Sequence, residues 1–350
     1  MKLQDIKITP LLDTLEIKKI DDATYFSDTY KQYISNSRLG LINPRQNGTV
    51  EKFFEGFKQG GFNQSFSLGS AVHELILQPE YFELADDINK PTAKLGAVAD
   101  ELYPIFVQRS VTKEDVINAS NKIDYYKDKI TDDRFNDVID KCTKYWEARQ
   151  SYEFNISNDK EIIYLDSKSR NTVISCVNAL KSNKNIQDLL HPTGLLQDPI
   201  VENENAILLD VKVNCPNGKE FILHLKAKLD NFTIDLEENT ITVNDVKTIG
   251  KVLSELDTNI KLYHYSREFG VYIYLLKQVA EKFYGLKNPK IKANYLAVST
   301  IPNYYTKVRE VTYEEMKYGF KEFQVLLKYV AYQIGYNNYS LDDELAKFKF

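Results

Sequence analysis

The stretch Lys226–Lys247, KAKLDNFTIDLEENTITVNDVK, decides the fold. A strand pattern enters it from Phe221 as FILHLKAKLDNF, Glu237-Glu238-Asn239 supplies a polar turn, and ITVNDVKT follows as a second strand. Strand side chains alternate faces, so Phe221, Leu223, Leu225, Ala227 and Leu229 share one side and His224, Lys226, Lys228 and Asp230 the other. Asp245 and Lys247 are two apart and project together. A hairpin then sets Asp230 opposite Asp245, with Lys247 beside both. Two carboxylates and a lysine suit metal-assisted attack on a phosphodiester: carboxylates hold Mg²⁺, the metal activates water, and the lysine offsets charge on the phosphorane. A solvated polar hairpin carries the same residue types, and DxK recurs by chance, so on these residues alone both readings stand.

The surrounding chain is globular in composition, with 350 residues, 43% hydrophobic and 27% charged. A net charge of -5 argues against capture of nucleic acid by the whole surface and leaves room for a local basic groove. Cys142, Cys176 and Cys215 are scattered without a CxxC pair, which excludes a cysteine zinc or iron–sulfur site. Free thiols without a signal peptide point to a reducing cytoplasm, and no apolar run reaches membrane-spanning length. GxSxG and GxxxxGK[ST] are both absent, so serine-nucleophile and P-loop chemistry have no support.

In chain order, Met1 to Ser27 reads as an N-terminal strand or arm. YISNSRLGLI from Tyr33 starts a helix capped by Ser35, Asn36 or Ser37, and Pro44 and Gly48 end it. Gly60 to Asn63 is a loop. FSLGSAVHELIL from Phe66 is a helix with Leu68, Val72, Leu75 and Ile76 on its apolar stripe and His73 beside it. Residues 91–150 are mostly helical, with starts at Thr112 and at Asp132-Asp133. Ser167 to Leu190 reads as one helix, closed by His191-Pro192. From Leu196 the pattern turns to strands, with Ala206–Leu209, the hairpin, Ile291–Val298 and Tyr305–Val311. A helix over Leu253–Phe283 is inserted, and Thr312 with Glu315 opens a closing helix through Tyr332. This order predicts an α/β (α+β) fold: a central mixed sheet flanked by helices, with an extended helical N-terminal half.

With these pieces placed, the chain resembles the PD-(D/E)XK nuclease superfamily, in particular phage and prophage exonucleases of the RecE and lambda-exonuclease kind. YISNSRLGLI resembles the family's N-terminal helix with its serine-rich start, GSAVHELIL its GxxxH helix, VENENAI its acidic strand, LKAKLD its K/R-x-D strand and DVKT its (D/E)xK. Glu268-Phe-Gly-Val-Tyr272 stands where the family has QxxxY, and KPTAKLGAVADELY resembles a segment of phage members. The resemblance runs from about Tyr30 to Tyr332 and implies a restriction-endonuclease-like core in a single domain, 1–350. In it, residues 28–195 form the mainly helical part and 196–350 the sheet core.

Carried over residue by residue, the resemblance implies that Asp230, Asp245, the Val246 carbonyl and His73 hold Mg²⁺, with Mn²⁺ as a substitute. Lys247 is the catalytic lysine and Glu204 the acidic-strand residue, with Glu202 two positions away as its alternative. Ser37, Lys226, Lys228, Glu268 and Tyr272 contact DNA or its phosphates. Three departures stand out. Leu229-Asp230 replaces the family's proline-aspartate, Asp245 is shorter than the frequent Glu, and Glu268 stands in place of Gln. His224, six residues from Asp230 and about 20 Å along the strand, cannot reach the same ion, and His264 reads as a surface residue. The implied activity is a metal-dependent exonuclease acting on double-stranded DNA ends in recombination or phage genome processing. A single-strand annealing protein and a homo-oligomeric ring are the implied partners, and the (host) cytoplasm the location. A non-catalytic DNA- or protein-binding module on the same fold, and a structured anti-defence or assembly factor, are the alternatives.

Overall fold

The computed structural model describes residues 3–56, 68–86, 88–125, 130–155, 160–194 and 197–336. The loop expected at Gly60 to Asn63, the helix onset at Phe66 and the strand onset at Leu196 lie outside them. Strands are β1 (Lys7–Lys19), β2 (Phe82–Leu84), β3 (Glu161–Ile163), β4 (Ile200–Asn214), β5 (Glu220–Asp235), β6 (Thr240–Ile249), β7 (Lys290–Ser299) and β8 (Thr306–Glu310). The chain folds as two compact units, Met1–Asn63 with Leu180–Phe350, and Gln64–Ala179.

The first unit is a six-stranded mixed sheet of order β1-β4-β5-β6-β7-β8 with helices around it. All neighbours are antiparallel except β6 and β7. A parallel pair needs a crossover, and the helices Leu256–Leu262 and Tyr265–Tyr284 supply it. The alternation expected for β5 holds: Leu223, Leu225, Ala227 and Leu229 are buried in one core with Phe269 and Leu276 of the Tyr265–Tyr284 helix and Phe323 and Val330 of the Tyr313–Tyr336 helix. Each leucine, valine or phenylalanine among them contributes about 1.5–3 kcal/mol on burial. The Thr312–Glu315 capping box forms as read, with Glu315 N–H donating to Thr312 Oγ1 and Thr312 N–H to Glu315 Oε2. The N-terminal arm becomes β1, at the edge of the sheet.

The two longest helix expectations each break once, one at a capping side chain and one at a left-handed residue. Asn183 divides Ser167–Ser182 from Lys184–Leu190, and its side chain accepts the N–H groups of Asn185 and Ile186. The Leu253–Phe283 helix splits at Tyr263-His264, where His264 adopts a left-handed φ of 55°.

The second unit packs the helices Ala93–Gln108, Lys113–Ile123 and Asp132–Asn155 around Val98, Leu102, Val116, Val138, Cys142 and Trp146. The Thr112–Asp115 capping box opens the middle one. The Arg149 guanidinium lies between the rings of Tyr103 and Tyr164, 3.9 and 4.1 Å from their centroids, and donates to Glu153. Among the described residues no helix is long and apolar enough to cross a membrane.

Candidate functional site

The site arises where two strands part. The β5–β6 ladder ends at Asn231↔Asn244, while β6 continues beside β7 to Ile249. The next residues, Asp230 on β5 and Asp245 on β6, flank the opening. A strand that leaves its neighbour exposes an unpaired N–H. Here Val246 N–H donates to Asp230 Oδ2 at 2.7 Å, so the carboxylate itself closes the ladder. On the other side of β5, the pairs Asn203↔Asn231 and Asn205↔Leu229 flank Glu204 and bring it opposite Asp230. One carboxylate oxygen of Glu204 lies within 4.8 Å of one of Asp230. Glu204 holds a left-handed φ of 51°, a conformation that costs a non-glycine residue on the order of 1–2 kcal/mol and clusters at functional sites.

An asparagine ladder beside these carboxylates fixes the register. Asn231 Nδ2 donates to Asn203 Oδ1 at 2.8 Å, Asn244 Nδ2 to Asn231 Oδ1 at 2.7 Å, and Asn294 Nδ2 to Asn244 Oδ1 at 2.9 Å. The last three side chains are buried. A one-residue slip would leave buried amides unpaired, at about 1–3 kcal/mol each.

Asp245 is 1% exposed. Lys247 Nζ lies 2.9 Å from its Oδ1, 2.8 Å from its Oδ2 and 3.3 Å from Glu268 Oε2. Only Oδ1 meets hydrogen-bond geometry, so the buried Oδ2 accepts no hydrogen bond among the described residues. Burial pushes the Asp245 carboxyl well above the usual carboxylate range; Lys247 opposes this, and Asp230 and Glu268 add to it. Burial works against the Lys247 ammonium, but Asp245, Glu268 and Asp230 outweigh it and hold its pKa above the ordinary lysine value. The Tyr265 ring centroid is 4.7 Å from Nζ.

The two lysines on β5 depart from the phosphate-contact expectation. Residues Asp22–Tyr25 form a short helical turn over them. Lys226 is 6% exposed, donates to the Tyr25 carbonyl at 2.6 Å and sits 4.1 Å from the Tyr25 ring centroid. Lys228 is paired with Asp22 at 2.6 Å and with Glu204 at 3.0 Å. Burial tends to lower its pKa, and the two carboxylates more than reverse that. Tyr272 is also internal, 5% exposed, with its hydroxyl donating to the Lys228 carbonyl at 3.4 Å. Lys226 and Tyr272, expected to contact DNA or its phosphates, are therefore both internal. Lys228 is an ion-pair partner before it is a phosphate ligand.

Burial, with repulsion from Arg38, lowers the Lys226 pKa from 10.5 to about 8. Between those values the unfolded chain binds the proton and the folded chain does not, so stability rises with pH across that window, by at most ~1.4 kcal/mol per pH unit. Lys226→Met should flatten this rise. Urea unfolding of both proteins from pH 7.5 to pH 10 reads the difference, and equal slopes would show that Lys226 is not desolvated.

The remaining expected residues lie as follows. Ser35 is the N-cap of the Asn36–Gly40 helix, and its Oγ is 2.9 Å from the Oγ of Ser37. Glu202 accepts from Asn205 Nδ2. His224 is bound to Asp210 at 2.7 Å. His264, expected at the surface, is 14% exposed by its side chain and bound to Glu322 at 2.9 Å. His73 is half-buried on the Leu68–Leu77 helix of the second unit, whereas Glu204, Asp230, Asp245 and Lys247 belong to the first. Sequence reading missed Asp22, Tyr265 and the asparagine ladder. Only the Asn residues preceding or following each key Asp gave a signal.

Glu204, Asp230, Asp245 and Glu268 outnumber Lys228 and Lys247 by two formal negative charges. Neighbouring carboxylates of Glu204 and Asp230 and an excess of negative charge fit a hard divalent cation.

No protein-family model matches the chain, and no curated protein matches it. Among solved structures it is similar to the crystal structure of a "Putative exonuclease" from Eubacterium rectale. The two share 9% identity over 90% of this chain and 86% of that one, with a TM-score of 0.42, a likeness too distant to assign chemistry.

Proposed function

We propose that the chain is a metal-dependent deoxyribonuclease, an exonuclease that hydrolyses phosphodiesters at double-stranded DNA ends. The observation that carries this reading is the placement of Glu204, Asp230 and Asp245 on three neighbouring strands, with Lys247 bound to the buried Asp245. Asp230, Asp245 and the Val246 carbonyl would hold Mg²⁺ or Mn²⁺, with Glu204 as a further carboxylate. His73 is proposed as an additional ligand on its place in GSAVHELIL alone. When bound, the ion supplies Lewis acidity toward a phosphate oxygen and lowers the pKa of water.

The chain's own residues do the rest. Lys247, held between Asp245 and Glu268, is a fixed ammonium that offsets the charge growing on the phosphorane. Asp22 and Glu204 neutralise Lys228 and hold its strand position beside Asp230. Phage-type recombination or genome processing, a ring-shaped homo-oligomer, an annealing-protein partner and a cytoplasmic location belong to the same proposal and rest on the resemblance. Purified protein with Mg²⁺ and end-labelled linear duplex tests it. Linear DNA should be degraded and a closed circle spared; a cut circle would make the enzyme an endonuclease, and two intact substrates would leave a binding module.

Glu268 is the observation that favours the non-catalytic alternative, because its carboxylate pairs with the lysine that the chemistry needs. Glu268→Gln removes one negative charge beside phosphate and restores the amide of the family pattern. Cleavage should stay at the wild-type rate or rise, by up to about tenfold for a relieved charge contact. A large loss together with weaker Mn²⁺ binding would instead make Glu268 a ligand.

A further inference from the structure

We infer that Tyr263 is a stacking platform for an unpaired nucleobase at a DNA end, placed next to the phosphodiester that the Asp230–Asp245–Lys247 site cuts; this rests on the nucleolytic reading above. Tyr263 ends the Leu256–Leu262 helix and is 53% exposed. Its ring stacks on Tyr265 at 5.6 Å with planes 30° apart. The Tyr265 ring centroid lies 4.7 Å from Lys247 Nζ and 6.2 Å from the Tyr295 ring. An aromatic stack thus runs from the catalytic lysine outward to solvent, and its outermost ring is open. Lys251, which follows β6, is exposed and paired with Glu255 at 2.8 Å.

Single exposed aromatics are ordinary and need no ligand. Two features separate Tyr263 from those. The first is continuity with Lys247. The second is a rigid mount, in a turn that would otherwise be free to relax. His264 follows in a left-handed conformation, at a cost of about 1–2 kcal/mol for a non-glycine residue. Its ring is bound to Glu322 at 2.9 Å and its carbonyl accepts Arg267 N–H at 3.0 Å. Gln46 Nε2 reaches the Tyr263 carbonyl at 3.5 Å, and the buried Arg267 guanidinium holds Gln46 and Asn36 at 2.7 and 2.8 Å. A ring fixed in advance loses little entropy when a flat ligand covers it.

The chemistry of the occupant follows. The site is net acidic and so is the chain, so phosphate attraction alone gives weak capture. Stacking on an aromatic face supplies affinity without sequence preference, because every base has a π-face. An internal base has both faces covered by its neighbours, so the platform takes a base at a DNA end, where an unpaired one is free to turn onto the ring.

The test uses a duplex carrying 2-aminopurine in a short single-stranded overhang, with Ca²⁺ present to suppress cutting. The wild-type protein and Tyr263→Phe should quench its fluorescence. Tyr263→Ala and the volume-keeping Tyr263→Leu should not, and should bind roughly tenfold more weakly, the effect of one lost base–aromatic stack. With Mg²⁺, Tyr263→Ala should raise KM by a similar factor and leave kcat within about twofold. Quenching and KM unchanged in Tyr263→Ala, or Tyr263→Phe as defective as Tyr263→Ala, would overturn the inference. A wild-type protein that quenches through Tyr263 but never cuts would sink the nucleolytic reading and keep the platform. One that cuts with no dependence on Tyr263 would do the reverse. A surface used for a protein partner would leave the overhang unquenched throughout.

Discussion

Lys247→Ala is expected to lower cleavage of linear DNA by roughly a thousandfold or more while leaving DNA and Mn²⁺ binding near wild type. Its ammonium meets charge that grows only in the transition state, and removing such a contact lowers turnover with little effect on the ground state. Asp245→Ala should lose cleavage to the same degree and also weaken Mn²⁺ binding, because it removes a buried carboxylate from the proposed ligand set. The two residues are 2.8 Å apart, so a purely structural pair would fail alike in both assays. Calorimetry with Mn²⁺ and a gel shift on each variant separate them. Ca²⁺ should support DNA binding with little cutting. Variants that both degrade DNA at the wild-type rate would move the active site elsewhere.

The second large effect is on stability. Gly319 in the Tyr313–Tyr336 helix and Gly270 in the Tyr265–Tyr284 helix meet face to face. A Cβ on Gly319 would stand 1.8 Å from the Ser266 carbonyl oxygen, and one on Gly270 would stand 2.4 Å from the Gly319 carbonyl oxygen. Both obstacles are backbone and cannot rotate away. Alanine gains about 1 kcal/mol of helix propensity over glycine, and here the clash outweighs it. Gly319→Ala should destabilise by about 3 kcal/mol or more, since the helices must separate. Because Glu268 and Tyr265 ride on the displaced helix, activity should fall as well. Gly250→Ala, where a Cβ meets nothing within 4 Å, is the control and should change stability by less than about 0.5 kcal/mol. Urea unfolding of the two variants decides; equal effects would mean that the helices have room to part.

What could be read from the sequence was what is local. The two-residue alternation of β5, the acidic turn at Glu237-Glu238-Asn239 and the spacing of Asp245 and Lys247 fix a hairpin without reference to the rest of the chain. They place Asp230 and Asp245 just beyond the Asn231↔Asn244 pair at which the ladder ends. The Thr112 and Thr312 capping boxes are likewise carried within four residues. What could not be read depends on distant partners. Lys226 and Lys228 pattern as solvated charges, and a turn about 200 positions earlier in the chain covers them. The break at His264 is held by Glu322, 58 residues further on. Asn183, by contrast, is a capping residue inside SNKN, and its signal was present in the sequence. The mid-helix glycines Gly270 and Gly319 announce a close approach, but not to what.

Asp230 and Asp245 are proposed to hold a divalent cation together. Anomalous diffraction from a crystal soaked in Mn²⁺ measures this most directly. A peak bounded by both carboxylates, absent from the same soak of Asp245→Ala crystals, is the expected result. A fully diffracting wild-type crystal with no peak there, or with manganese bound only elsewhere, would contradict it.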